Sequence, residues 1–185
     1  TMPELLTCLH EESAVAMAHG YAKIEGKPMA ALLHGSVGLM HASMAIYNAY
    51  ADRVPAFILV GNHKEPTGWV DMAHSFQDLG GFIRDFVKWD DNTISVGRFA
   101  QSALRAYKIS MTPPMGPVAI MIDHEMQGEP LNNRANLKVP KLTMASPPQG
   151  DTNAVREAAR LLVEADNPMI ITGRSARTQH GIELL

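Results

Sequence analysis

Residues 28–62 read PMAALLHGSVGLMHASMAIYNAYADRVPAFILVGN, and this stretch decides the fold. From Pro28 to Ala51 it contains no Asp, Glu, Lys or Arg. A run of that kind is long enough to cross a bilayer, which takes about 20 apolar residues. Its interior says otherwise. Gly35, Ser36 and Gly38 interrupt it, and His34, His41, Ser43 and Asn48 scatter polar groups that hydrocarbon would leave unsatisfied. The run therefore divides into a strand (Met29 to Leu33), a tight glycine turn and a helix (Leu39 to Ala51). Asp52–Arg53 follows, then a second strand from Ala56 to Val60, ended by Gly61–Asn62. Two short apolar strands joined by a helical crossover are the mark of a parallel sheet, so the expected class is α/β, a parallel sheet flanked by helices. The helix is apolar on most faces and must be covered on most faces, by a domain core or by a second subunit.

Working outward, a first helix should start near Glu11–Glu12, where carboxylates suit the positive helix end, and run to about Glu25. Gly26 and Pro28 stop it. Downstream, residues 62–81 read as a long loop at a strand end, a place where function concentrates. Phe82 to Trp89 reads as a short strand. Ser95 to Met111 shows Val96, Phe99, Ala100, Ala103, Leu104 and Tyr107 on one helical face, with Arg98, Gln101, Arg105 and Lys108 on the wet side. Pro113–Pro114 end it, and Val118 to Ile122 form another buried strand closing at Asp123.

The expected domains are 1–127, a linker over 128–150 rich in Pro and Asn, and the beginning of a second, Rossmann-like α/β domain over 151–185. In that last part Asp151 should cap a helix carrying Val155, Ala158, Ala159, Leu162 and Ala165 on one face, and Met169 to Thr172 should be a strand. Leu184–Leu185 falls in what reads as the middle of a helix, and the chain is expected to be part of a longer one lacking some N-terminal sequence.

Composition narrows the function classes. The 185 residues are 46% hydrophobic and carry 16 Lys+Arg against 19 Asp+Glu, a net charge of −3. That is a folded chain rather than a disordered one, with no basic block to favour nucleic acid or an anionic membrane. Cys8, the single cysteine, has no second thiol for a disulfide or a CxxC motif, which points to a reducing, cytoplasmic setting. The phosphate-binding GxGxxG and GxxxxGK[ST] patterns are missing, as is the GxSxG of a nucleophile elbow. Eight histidines occur, but there is no HExxH, and His63, His74, His124 and His180 are scattered, so spacing offers no metal site.

What remains is a series: His10-Glu11 opening a helix that carries Gly20-Tyr21-Ala22, then Leu32-Leu33-His34-Gly35-Ser36-Val37-Gly38, Ala49-Tyr50-Ala51-Asp52-Arg53-Val54-Pro55, Phe76-Gln77-Asp78, Lys88-Trp89 and Gly116-Pro117-Val118. In this order the series resembles the pyrimidine-binding domain of the thiamine diphosphate enzymes of the acetolactate synthase, pyruvate decarboxylase and benzoylformate decarboxylase superfamily. The resemblance implies a decarboxylase or carboligase acting on 2-oxo acids. It implies thiamine diphosphate and Mg²⁺ as cofactors, anchored mainly by another domain, and a homodimer or homotetramer that completes the site. A non-catalytic assembly or regulatory domain with the same fold is the alternative; a nucleotide-binding Rossmann unit lacks its glycine fingerprint.

By the same resemblance Glu11 is the catalytic carboxylate. Hydrogen-bonded to N1′ of the aminopyrimidine, it would favour the imino tautomer that activates the thiazolium ring, and it should be buried enough to hold a proton near neutrality. Read without the family, Glu11 is a first-turn residue stabilising a helix dipole, and Glu12 keeps that reading. His34 matches an active-site His of benzoylformate decarboxylase where acetolactate synthases carry Thr; it is either a proton relay or a strand-end His bonded to backbone. Val37 stands at the family's usual Pro and His41 at its usual Asn, both on the expected cofactor wall. Gln77 is expected to face substrate or else to be simply solvated. His10 reads as a helix-start residue.

Overall fold

The computed structural model describes residues 3–62, 74, 76–128, 130 and 139–185, and the chain divides into two compact units, Thr1–Ala145 and Ser146–Leu185. Most of the expected 62–81 loop (63–73 and 75, with His63) and part of the linker (129 and 131–138) lie outside the described residues.

The first unit alternates helices and strands. Helix α1 spans Glu11–Glu25, strand β1 Ala30–Leu33, helix α2 Ser36–Ala51 and strand β2 Phe57–Asn62. Helix α3 (Leu79–Ile83) and a 3-10 turn (Arg84–Phe86) lead to β3 (Asp90–Thr93), α4 (Val96–Met111), β4 (Val118–Asp123) and α5 (His124–Gly128). The strands form one parallel sheet in the order β1-β2-β4-β3, with Ala31 opposite Ile58 and Ile58 opposite Ala119 in register. Each parallel step requires a crossover helix: α2 carries the chain from β1 to β2, and α4 from β3 to β4.

Strand periodicity then sorts the core into two layers. Ile58, Val60, Ala119 and Met121 face α1 and α2, where they meet Val15, Ala18, Leu39, Ala42 and Ile46. Val118, Ile120, Phe57 and Leu59 face α4 and meet Phe99, Ala103 and Ala106. Ile46, Ile58, Val60 and Ile120 are fully buried. Each contributes about 1.5–3 kcal/mol by leaving water.

Alanines on both α1 and α2 (Ala18, Ala22, Ala42, Ala45, Ala49) line the buried faces of the two helices. A polar clasp fixes their ends. Asp52, the C-cap of α2, accepts from Lys23 Nζ at 2.8 Å and pairs with His19 Nε2 at 3.0 Å, both on α1. Those partners, Lys23 first, hold the Asp52 carboxyl below its ordinary 3.8.

Several expectations are corrected. Phe82 to Trp89 is not a strand: Phe82 and Ile83 end α3, Arg84–Phe86 is a 3-10 turn, and the strand comes later, at Asp90–Thr93. Its polar Asp90-Asp91-Asn92-Thr93 hides it from a hydrophobicity reading, because an edge strand can carry side chains that pair outside the core. Asp90 and Asp78 accept from Arg84, and Asp91 accepts from Arg98 and Ser102. Elsewhere α2 starts at Ser36 rather than Leu39, and β2 runs on through Gly61 and Asn62.

In the unit Ser146–Leu185, helix α6 (Thr152–Glu164) is capped by Asp151, whose Oδ1 accepts from the Ala154 N–H at 2.7 Å. Helix α7 (Gln179–Glu183) is capped by Thr178, and Leu184 and Leu185 lie beyond its end rather than inside a helix. Met169–Thr172 is irregular, correcting the strand expected there; a strand needs a ladder partner, and this unit holds none among the described residues. Val155, Leu161, Ile170 and Ile171 stay exposed.

Candidate active site

The carboxyl ends of parallel strands are where α/β sheets bind ligands. Here His34 leaves the end of β1 and Asn62 closes β2, while Glu11 opens α1. The turn between β1 and α2 brings them together. A Cβ on Gly35 would lie 2.4 Å from the His74 carbonyl oxygen and 3.1 Å from that of Gly61, so only glycine fits. The Ser36 N–H donates to the same His74 carbonyl at 3.0 Å.

One turn on, Gly38 decides the position of Glu11. A Cβ at Gly38 would stand 2.8 Å from Glu11 Oε1 and 2.9 Å from His34 Cβ. The missing side chain is the space the carboxylate occupies. Gly38 reads from the sequence as part of the turn; it lies inside α2, where a glycine costs about 1 kcal/mol relative to alanine, and the close approach of Glu11 accounts for it.

Glu11 and His34 both line a cleft of about 340 Å³, together with Cys8, His10, Met17 and Leu32. Glu11 is less enclosed than expected: its side chain keeps 28% exposure, with Gly38, His41 and His10 close to its carboxylate among the described residues. His41 Nδ1 lies 3.5 Å from Glu11 Oε2 and its ring stacks on His10 at 4.7 Å. Sequence spacing did not bring these three together, since His41 is thirty positions from Glu11 and on another helix.

His34 is exposed, stands edge-on to His74 at 5.2 Å, and its ring makes no hydrogen bond among the described residues. It also borders a second cleft of about 390 Å³ with Leu33, Asn62, His74, His124 and Gln127. Asn62 is nearly sealed; its Nδ2 donates to the Phe76 carbonyl at 3.4 Å, and its Oδ1 has no partner among the described residues. Val37, in the first turn of α2, and Gln77, exposed just before α3, line neither cleft.

The outer face of α2 is apolar and uncovered: Met40, Met44, Tyr47 and Tyr50 keep 42%, 55%, 49% and 41% of their surface exposed. No helix among the described residues is long and apolar enough to cross a membrane.

A four-stranded parallel sheet with a carboxylate and an imidazole at its carboxyl edge defines an α/β ligand-binding domain. Residues 2–80 match the family described as thiamine pyrophosphate enzyme, N-terminal TPP binding domain, and the relatives that the chain resembles are enzymes of that superfamily. It is 29% identical over 90% of its length to the probable 2-ketoarginine decarboxylase of Pseudomonas aeruginosa, covering 30% of that protein. It is 26% identical over 89% of its length to the mitochondrial acetolactate synthase catalytic subunit of Saccharomyces cerevisiae, covering 25% of it. The crystal structure of benzoylformate decarboxylase from Polynucleobacter necessarius superposes with a TM-score of 0.78 at 26% identity, over 93% of this chain and 32% of that one. The chain thus spans between a quarter and a third of the length of these relatives.

Proposed function

We propose that the complete protein is a thiamine diphosphate-dependent decarboxylase or carboligase of 2-oxo acids, and that Thr1–Ala145 supplies its pyrimidine-binding half-site. The observation that carries this is the Glu11 carboxylate, seated against Gly38 at the rim of a cleft shared with His34. Its partly exposed oxygens suit an aminopyrimidine nitrogen that needs one short hydrogen bond from a carboxylic acid. Mg²⁺ asks for several oxygen ligands in octahedral array, and the resemblance assigns it, with the diphosphate, to a separate domain. When bound, thiamine diphosphate supplies the carbon nucleophile and the electron sink for loss of carbon dioxide.

The chain's own residues then have distinct tasks. Glu11 holds a proton at the ring nitrogen, and a second protomer closing over it removes the water that now reaches it. His34, whose ring makes no backbone hydrogen bond among the described residues, gives or takes a proton at the substrate carbonyl. Val37 and His41, on the first turns of α2, form part of the cofactor wall, and Gln77 meets the substrate from the loop side. The apolar outer face of α2 is the homodimer or homotetramer contact that brings the other half-site into place.

The test is full-length protein with thiamine diphosphate and Mg²⁺, offered pyruvate and benzoylformate, with products identified. Benzaldehyde from benzoylformate supports the role given to His34; acetolactate from pyruvate assigns the chain to carboligation and removes that role. No cofactor-dependent product from these or from longer and basic 2-oxo acids would favour the non-catalytic assembly domain. The His41–Glu11 pairing is the one observation on that side, because it gives the carboxylate a partner other than a cofactor.

A further inference from the structure

We propose that His10, Glu11 and His41 form a binding site for a borderline-soft divalent cation of the Zn²⁺ class, and that its occupation withdraws Glu11 from the chemistry above. The ligand-capable atoms of the three residues all lie within 4.8 Å of one another. Two imidazole nitrogens and a carboxylate oxygen are the donor set of open, three-ligand zinc and iron sites, with a fourth position left for water.

The geometry is close to what a metal needs. Zn–N and Zn–O bonds of about 2.0–2.1 Å in a tetrahedron put neighbouring ligand atoms about 3.4 Å apart. His41 Nδ1 and Glu11 Oε2 already stand 3.5 Å apart. His10 has only to turn its ring, which stacks within 12° of parallel on that of His41. It is free to do so, since it is exposed at the start of α1, and His41 keeps 58% exposure on α2. Helices α1 and α2 are fixed by their alanine-lined core and by the Asp52 clasp, so Glu11 and His41 are presented as a preformed pair.

Donor softness sets the selectivity. Mg²⁺ prefers all-oxygen sites and gives up its water reluctantly, so the Mg²⁺ required by the family would not compete here. Zn²⁺, Co²⁺, Ni²⁺ and Cu²⁺ favour imidazole. The site itself stands independently of the proposed function; only its consequence, loss of the Glu11 carboxylate to the metal, rests on that reading.

The experiment titrates the full-length, cofactor-free protein with Co²⁺ and follows the visible absorption of a nitrogen-ligated ion, with Zn²⁺ as competitor. Saturable absorption that Zn²⁺ displaces and millimolar Mg²⁺ does not is the expected result. His10→Ala, His41→Asn and Glu11→Gln should each weaken Co²⁺ at least about tenfold, since even partners behind the ligands matter that much. Circular dichroism and the melting temperature check that each variant is folded, and His10→Gln replaces any that is not. Affinities within twofold of the parent in all folded variants would overturn the site. Because the readout involves neither cofactor nor turnover, that failure is separate from a failure of the proposed function. Loss of cofactor-dependent turnover in Glu11→Gln with Co²⁺ affinity unchanged would keep the enzyme and discard the site. Where both hold, bound Zn²⁺ should lower turnover, and preloading with thiamine diphosphate and Mg²⁺ should weaken Zn²⁺ binding.

Discussion

Helices α2 and α4 are each 16 residues long, and each crosses over between parallel strands, yet they end in opposite states. Helix α4 buries Ser102, Ala106 and Ser110 against the sheet and turns Arg98, Gln101, Arg105 and Lys108 to water or to neighbouring acids. It is finished at both ends: Ser95 Oγ accepts from the Arg98 N–H, and Lys88 Nζ donates to the carbonyls of Ile109 and Thr112 at 2.6 Å. Helix α2 has no charged residue, no side-chain cap at its N-terminus, and apolar groups on both faces. One helix satisfies itself within the chain. The other spends half its apolar surface on the core and leaves half unspent, beside the carboxylate that the cofactor would need. On the function proposed above, the uncovered surface and the open cleft lie together because an active site shared between protomers would require both.

The comparison can be broken first at α2's opening turn. Gly38→Ala puts a methyl group 2.8 Å from Glu11 Oε1 and should push the carboxylate aside, lowering kcat by about 100-fold. The fold should persist by circular dichroism, since Glu11 can swing toward solvent. Next, Ile46→Ala removes a fully buried side chain from α2's inner face and should cost about 2–5 kcal/mol in denaturant unfolding.

A charge on the outer face sharpens the contrast. Met44→Asp should leave the isolated fold intact and shift the complete protein to smaller species in sedimentation velocity, because a buried unpaired carboxylate costs several kcal/mol at an interface. Arg105→Asp, on α4's wet side, should leave the sedimentation profile unchanged. At α4's cap, Ser95→Ala should cost about 1 kcal/mol, a loss α2 cannot suffer because Gly35 supplies no side-chain cap there.

The smallest effect concerns pH. Lys23 and His19 lower the Asp52 carboxyl below 3.8, so the clasp contributes fully above 3.8 and is lost as pH falls through the folded-state value. Asp52 and Lys23 are 41% and 54% exposed, so the contribution is under about 1 kcal/mol. Asp52→Asn should lower stability at pH 7 by that amount and abolish the difference near pH 2.

Much of this was legible in residues 28–62. An uncharged run broken by Gly35 and Gly38 reads as strand, turn and buried helix, and its excess apolar surface called for cover by a domain core or by a second subunit. Helix α4 was readable from its period, and Asp151 from its capping position. Strand β3 was not, because Asp90 and Asp91 pair with Arg84, Arg98 and Ser102 and its one buried side chain is the polar Thr93, and polarity at an edge resembles a loop. The site was half legible. The motif series singled out Glu11 and His34, which line one cleft, and the resemblance put His41 on the expected cofactor wall; the direct approach of His41 to Glu11 and His10 depends on how α1 packs on α2, which no local pattern encodes.

The most direct measurement is hydrogen–deuterium exchange at C2 of thiamine diphosphate bound to the full-length protein, compared between the parent and Glu11→Gln. If Glu11 holds the proton at N1′, exchange should slow by at least about 100-fold in the variant while the diphosphate still binds. Equal exchange rates in the two proteins, with the cofactor bound in both, would contradict it.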